Sequence, residues 1–177
     1  ISPGQIAMIK TYDNYFMPVY QTRRTATYPA DVLEKTKANA TEVELVESVN
    51  GLKNYKTATP FPMPQNGLEV IFNHITRYRG GSFTRNVAQV TPQPNGDFSP
   101  VRFTESFTER VALEDFDPSE DPNVMFYFKQ AITAPSRLAG NVLLVHETIN
   151  QVKEPRRAWL YNSGQRRVRR APNVAYD

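Results

Sequence analysis

From Ser82 onward the hydrophobic period of the chain changes from helical to two, and it keeps that period to Arg170. Six segments alternate in this way: Ser82–Val90, Val101–Val111, Val124–Thr133, Asn141–Asn150, Arg157–Tyr161 and Arg166–Arg170. Consecutive strands joined by short turns pair as antiparallel neighbours, so the pattern predicts a meander. In the second segment Val101, Phe103, Phe107 and Val111 share one face, interrupted by Glu105 and Glu109. In the third, Val124, Phe126, Phe128 and Ile132 share a face, with Met125 and Tyr127 opposite; in the fourth, Leu143, Val145 and Ile149 do so. An apolar face with occasional acids suits a sheet curled around a cavity. It equally suits ordinary edge exposure.

Ahead of the meander the period is helical. Ser2-Pro3-Gly4-Gln5 has the form of a capping box with proline in the first turn, and predicts a helix of about nine residues carrying Ile6, Ile9 and Tyr12. Met17 to Thr27 reads as extended. Pro29-Ala30-Asp31 opens a second helix to about Asn39, and Thr41–Val49 reads as a strand ended by Asn50-Gly51. The third helix is capped by Asn66, with Glu69 three residues on, a stripe of Leu68, Ile71, Phe72, Ile75 and Tyr78, and Gly80-Gly81 as its stop. Such a stripe needs a sheet to bury against. Residues 1–80 and 82–171 are therefore read as two layers of one domain spanning 1–177.

The chemistry-bearing residues are few. There is no cysteine, which excludes disulfides, thiolate metal sites and cysteine nucleophiles. His74 and His146 fall in different elements, and no histidine spacing suggests a zinc site. Glu114, Asp115, Asp117, Glu120 and Asp121 crowd one loop but lack the EF-hand pattern, so no metal or other cofactor is expected. Glu105 and Glu109 would lie roughly 13 Å apart along a strand, too far for a glycosidase pair. With no nucleophile elbow or phosphate-binding loop, the expectation is a protein that is not an enzyme.

Charge is unevenly placed. Between residues 153 and 170 seven Lys/Arg face Glu154 alone, a local +6, so the remainder is about −3 of the total +3. A basic hairpin on an acidic body reads either as a docking face for an anion or as arginines solvating an exposed edge. Trp159 and Tyr161 lie close to those arginines, but no nucleic-acid-binding motif accompanies them, and no nucleic acid is expected as partner.

Three phrases carry a resemblance: MPVYQTRRTATYP (17–29), PFPMPQNGLEVIFNHITRYRG (60–80), and the stretch from Tyr127 to Asp177. Together they resemble an uncharacterised family of Gram-negative envelope proteins, a domain of unknown function described as outer-membrane lipoprotein-sorting-like. The resemblance covers essentially the whole chain. It implies kinship with the LolA and LolB fold: α+β, an unclosed antiparallel half-barrel with about three short helices on its concave side. It also implies an exported, periplasmic protein, associated with membranes only peripherally. Members are longer and carry a secretory signal, which would make this an N-terminal portion; with neither an initiator methionine nor a signal segment at Ile1, the expectation is that either processing or an artificial cut removed the true beginning.

The resulting expectation is a periplasmic carrier for lipoprotein acyl chains or another hydrophobic ligand, with a possible envelope protein as partner. Phe103, Phe107, Phe126, Phe128, Leu143, Val145 and Trp159 are the expected lining. Arg166, Arg167, Arg169 and Arg170 are the expected contacts to headgroups or an acidic partner. Burial of a methylene is worth ~0.8 kcal/mol, so a 16-carbon chain could gain about 12 kcal/mol in a dry groove without any catalytic group. The alternative is an envelope scaffold whose hollow is filled by its own side chains.

Overall fold

The computed structural model describes residues 2–21, 23, 26–46, 51–117, 119–120 and 123–171. Helix α1 (Pro3–Thr11) starts as the capping box dictates: Ser2 Oγ accepts the Gln5 amide at 3.3 Å and Gln5 Oε1 accepts the Ser2 amide at 2.8 Å. It buries no residue, so it is held by its own cap and backbone rather than by the sheet. The next segment, 12–21, is extended beyond a turn at Asp13-Asn14, with Phe16, Val19 and Tyr20 exposed.

Helix α2 (Ala30–Glu42) runs three residues past Asn39, where the sequence suggested a stop. Asn39 is buried, and its side-chain amide donates to the carbonyls of Thr57 and Thr59 at 2.8 and 3.0 Å. Those two bonds tie α2 to the loop beneath it. The strand expected over Thr41–Val49 is consequently short. β1 (Glu44–Leu45) pairs with β2 (Leu52–Lys53), and residues 47–50, on which part of that expectation fell, lie outside the described residues. Gly51 bridges to Asn150 and joins this small ribbon to the segment that follows Glu147. A Cβ at Gly51 would come within 2.7 Å of the Asn150 Cα, so only glycine permits that approach.

Helix α3 (Gly67–Ile75) follows its cap, Asn66 Oδ1 accepting the Glu69 amide at 3.0 Å. Leu68, Phe72 and Ile75 turn inward, and Phe72 is 2% exposed among Val43, Leu52, Tyr55, Met125 and Ile149. Ile71, on the flank of this stripe, stays half exposed, and Tyr78 falls beyond the helix end.

The meander is present as one six-stranded antiparallel sheet in sequence order: β3 (Ser82–Pro92), β4 (Phe98–Glu109), β5 (Phe126–Ala134), β6 (Val142–Glu147), β7 (Arg157–Asn162) and β8 (Arg167–Ala171). Its two outer strands, β3 and β8, do not pair with each other, so the sheet is unclosed. Two strands end earlier than their hydrophobic pattern. After Glu109 the chain tightens into a 3-10 turn over Arg110–Ala112. After Glu147 it leaves the sheet, and the Ile149 carbonyl accepts the Leu52 amide at 3.1 Å.

Candidate functional site

Partners in antiparallel register point to the same side of a sheet, so the pairing sorts every strand residue. One row crosses all six strands: Phe83, Phe107, Phe128, Val145, Ala158 and Ala171. This is the inner side, because Leu68, Phe72 and Ile75 of α3 share a hydrophobic cluster with Phe126, which lies in the next row down between Glu109 and Glu147. The row above holds Arg85, Glu105, Gln130, Leu143, Leu160 and Arg169, and the one beyond it Val87, Phe103 and Ile132.

The inner side therefore gathers Phe103, Phe107, Phe126, Phe128, Leu143 and Val145. Trp159 does not join them. Ala158 pairs with Val145, so Trp159, one residue on, projects to the opposite side beside Leu144 and Arg170. The arginines are divided by the same rule. Arg167 and Arg169 pair with Asn162 and Leu160 on the inner side, Arg170 lies on the outer side, and Arg166 sits in the turn with φ 52°. They do not form one cationic face.

Two regimes meet on the inner side. Where α3 covers the sheet, the space left is only about 10 Å³, lined by Tyr55, Ile75, Thr76, Arg79, Phe107, Glu109, Met125 and Phe126. That is about the room of one water. The Arg79 guanidinium lies over Phe107 and Phe126, 5.1 and 5.6 Å from the ring centres, and donates to the Ile75 carbonyl at 3.2 Å. Burial pushes the Glu109 carboxyl above its ordinary range, while Arg79 and a hydrogen bond from Thr57 pull the other way. Burial, reinforced by the Glu109 charge, also pushes the Tyr55 phenol up, and its hydroxyl donates to the Ala58 carbonyl at 3.1 Å.

Beyond α3 the inner side is less covered. Glu105, 5% exposed, is satisfied by Arg85 Nε and Gln130 Nε2, both at 2.7 Å. Around this polar bridge Val87, Val101, Ile132 and Leu143 are partly exposed, and Leu160 is half exposed. Nothing in this arrangement pairs a nucleophile with a base. Among the described residues no three His, Asp or Glu side chains converge to hold a metal ion.

The outer side holds a feature that the sequence reasoning missed. Val142, Leu144, His146, Trp159, Tyr161, Val168 and Lys129 line an open hollow of about 410 Å³. His146 is held edge-on between the rings of Tyr127 and Trp159, each 4.8 Å away. Burial, and then the nearby Arg157, lowers its pKa below the usual histidine value. The signal was available: Val142-Leu143-Leu144-Val145 is a continuous apolar run, the mark of a strand with two apolar sides.

Fold and site together define an α+β protein built on an unclosed antiparallel sheet with apolar surface on both sides. The chain belongs to the family described as "Protein of unknown function (DUF1329)", whose family model matches residues 1–177. It is similar to an uncharacterized protein, PA3922, of Pseudomonas aeruginosa: 66% identity over 178 residues, covering all of this chain and 39% of the relative. The chain thus spans about two-fifths of that relative's length. No solved structure matches it. No helix of the described residues is long and apolar enough to cross a membrane.

Proposed function

We propose that this chain is part of a non-enzymatic envelope protein, exported to the periplasm, that binds an acyl chain or a similar hydrophobic ligand on the inner side of its sheet, in the manner of a LolA/LolB-type half-barrel. The observation supporting this reading is that apolar side chains continue on the inner side after the helical cover ends, around the Arg85–Glu105–Gln130 bridge. Val87, Phe103 and Ile132 form one such stretch, and Leu143 and Leu160 form another. A ligand lying there would contact Val87, Ile132, Leu143 and Leu160, with the buried Phe103 beneath, and stay above the filled end at Phe107, Phe126 and Phe128. Arg169, in register with Leu160 at the margin of this surface, would meet its anionic head. Capture needs only apolar burial, so no catalytic group is invoked.

The test is displacement of a fluorescent fatty acid by palmitate. Saturable binding is expected, and Leu143→Asp with Leu160→Asp should weaken it at least about tenfold, the equivalent of two methylene contacts at ~0.8 kcal/mol each. Absence of saturable uptake, or uptake indifferent to these changes, counts against the reading. One observation favours a second reading, an interaction scaffold with a self-filled core and no ligand. The space between α3 and the sheet holds no more than about 10 Å³.

A further inference from the structure

The outer side of the sheet is sorted by charge as sharply as the inner side is by size. Its rows are Ser82, Thr108, Tyr127, His146 and Arg157; Thr84, Ser106, Lys129, Leu144, Trp159 and Arg170; and Asn86, Thr104, Ala131, Val142, Tyr161 and Val168. Arg102, opposite Ala88, belongs to the same side. Every carboxylate within β3–β8, namely Glu105, Glu109 and Glu147, projects inward. Among the described strand residues the outer side therefore carries cations and no acid. Glu154, in the connection before β7, reaches this region and lies 3.5 Å from Arg157 Nε.

We infer that the outer side of β4–β8 docks on an anionic lipid bilayer, with Trp159, Tyr161 and Val168 entering the interface and Arg102, Lys129 and Arg170 against the headgroups. The apolar part is the open hollow on β6–β8, where Val168 is 63% exposed. Tryptophan and tyrosine, apolar in body and polar at the tip, suit the boundary between acyl chains and headgroups. The spacing of the cations distinguishes a bilayer from a single amphiphile. Arg102 on β4 and Arg170 on β8 are four strand steps apart, roughly 19 Å at the usual inter-strand distance. No single headgroup spans that distance, whereas an array of them does. The hollow is also walled only by side chains of four neighbouring strands and lacks a cover that would enclose one chain.

Trp159 is the only tryptophan, so its fluorescence reports on this surface directly. Vesicles of phosphatidylcholine mixed with phosphatidylglycerol should shift its emission to the blue, and lipids brominated on their acyl chains should quench it. Raising the salt should reverse both effects. Each cation near an anionic surface contributes about fivefold in affinity, so Lys129→Glu with Arg170→Glu should weaken binding at least about 25-fold without changing the thermal midpoint. Several results overturn the inference: no shift with any vesicle, an equal shift with phosphatidylcholine alone, or indifference to the charge reversals. So do a shift with monomeric palmitate but not with vesicles, and a self-associated protein whose Trp159 is already shielded. Leu143→Asp with Leu160→Asp, which alters the inner side, should leave vesicle binding intact, so failure of the ligand reading and failure of this one can be told apart.

Discussion

Replacing Glu147 by alanine removes a carboxylate that is 1% exposed from the sheet row on which α3 rests. The carboxylate accepts Arg156 Nε at 2.7 Å, the Thr148 amide at 3.2 Å and Gln151 Nε2 at 3.4 Å. The Arg156 side chain is itself only 10% exposed, so the alanine variant leaves a guanidinium buried beside a void. Breaking a buried pair from one side costs about 3–5 kcal/mol, because the remaining buried charge has lost its carboxylate. At ~2–4 °C per kcal/mol for a chain of this size, the melting midpoint should fall by about 6–20 °C. Removing both charges, as in Glu147→Leu with Arg156→Met, spares that penalty. It still strands the Thr148 and Gln151 donors, a deficit of about 1–3 kcal/mol. The double variant should therefore be more stable than Glu147→Leu alone, which like the alanine variant leaves the guanidinium buried, with a coupling energy of at least ~2 kcal/mol in the cycle. Urea denaturation followed by Trp159 fluorescence and far-ultraviolet dichroism measures all four corners. A cost below about 1 kcal/mol for Glu147→Ala, or single costs that simply add in the double variant, would refute the reasoning.

Phe72→Ala, at the centre of the core beneath α3, should cost about 3–5 kcal/mol, whereas Ile71→Ala on the exposed flank should change stability by no more than ~0.5 kcal/mol. Gly51→Ala should loosen the bridge to Asn150 and destabilise by about 1–3 kcal/mol, read as faster amide exchange at Leu52, whose partner is the Ile149 carbonyl. Glu109 gives a pH signature. Its folded-state pKa is raised above 4.5, so the folded protein holds that proton more tightly than the unfolded chain. Its contribution to stability is greatest below the ordinary value and is lost as pH rises through the raised one. Glu109→Gln should accordingly be more stable than the parent at neutral pH, with the advantage vanishing below pH 4.5 in thermal melts.

The order of the elements was legible because each carries its own local chemistry. Ser2 and Asn66 cap the first and third helices, and the change of period at Ser82 begins a meander whose strands pair in sequence order. Boundaries failed where tertiary contacts overrode local preference. Asn39 looked like a helix stop but continues α2, because its side chain is occupied by the Thr57 and Thr59 carbonyls rather than by its own backbone. The strands ending at Val111 and Asn150 by pattern end at Glu109 and Glu147, since Arg110 and Ile149 bond elsewhere. The α1 stripe predicted a packed helix, yet Ile6 and Ile9 remain exposed. Of the seven residues expected as lining, six share a side: β4 and β5 contrast apolar with polar or shorter residues along much of their length, and Leu143 and Val145 join them through the pairing of β6 with β5. β7 offers no such contrast. Ala158 and Leu160 alternate with Trp159 and Tyr161, so either side could have been the inner one, and only the pairing of Ala158 with Val145 decides.

Methyl-resolved NMR during a palmitate titration asks the central question at the level of single side chains. If the inner side above α3 takes the ligand, the methyl signals of Val87, Ile132, Leu143 and Leu160 should move together and saturate, while those of Leu144 and Val168 on the outer side stay still. Saturable shifts confined to Leu144 and Val168, or no saturable shifts at all, would contradict the account.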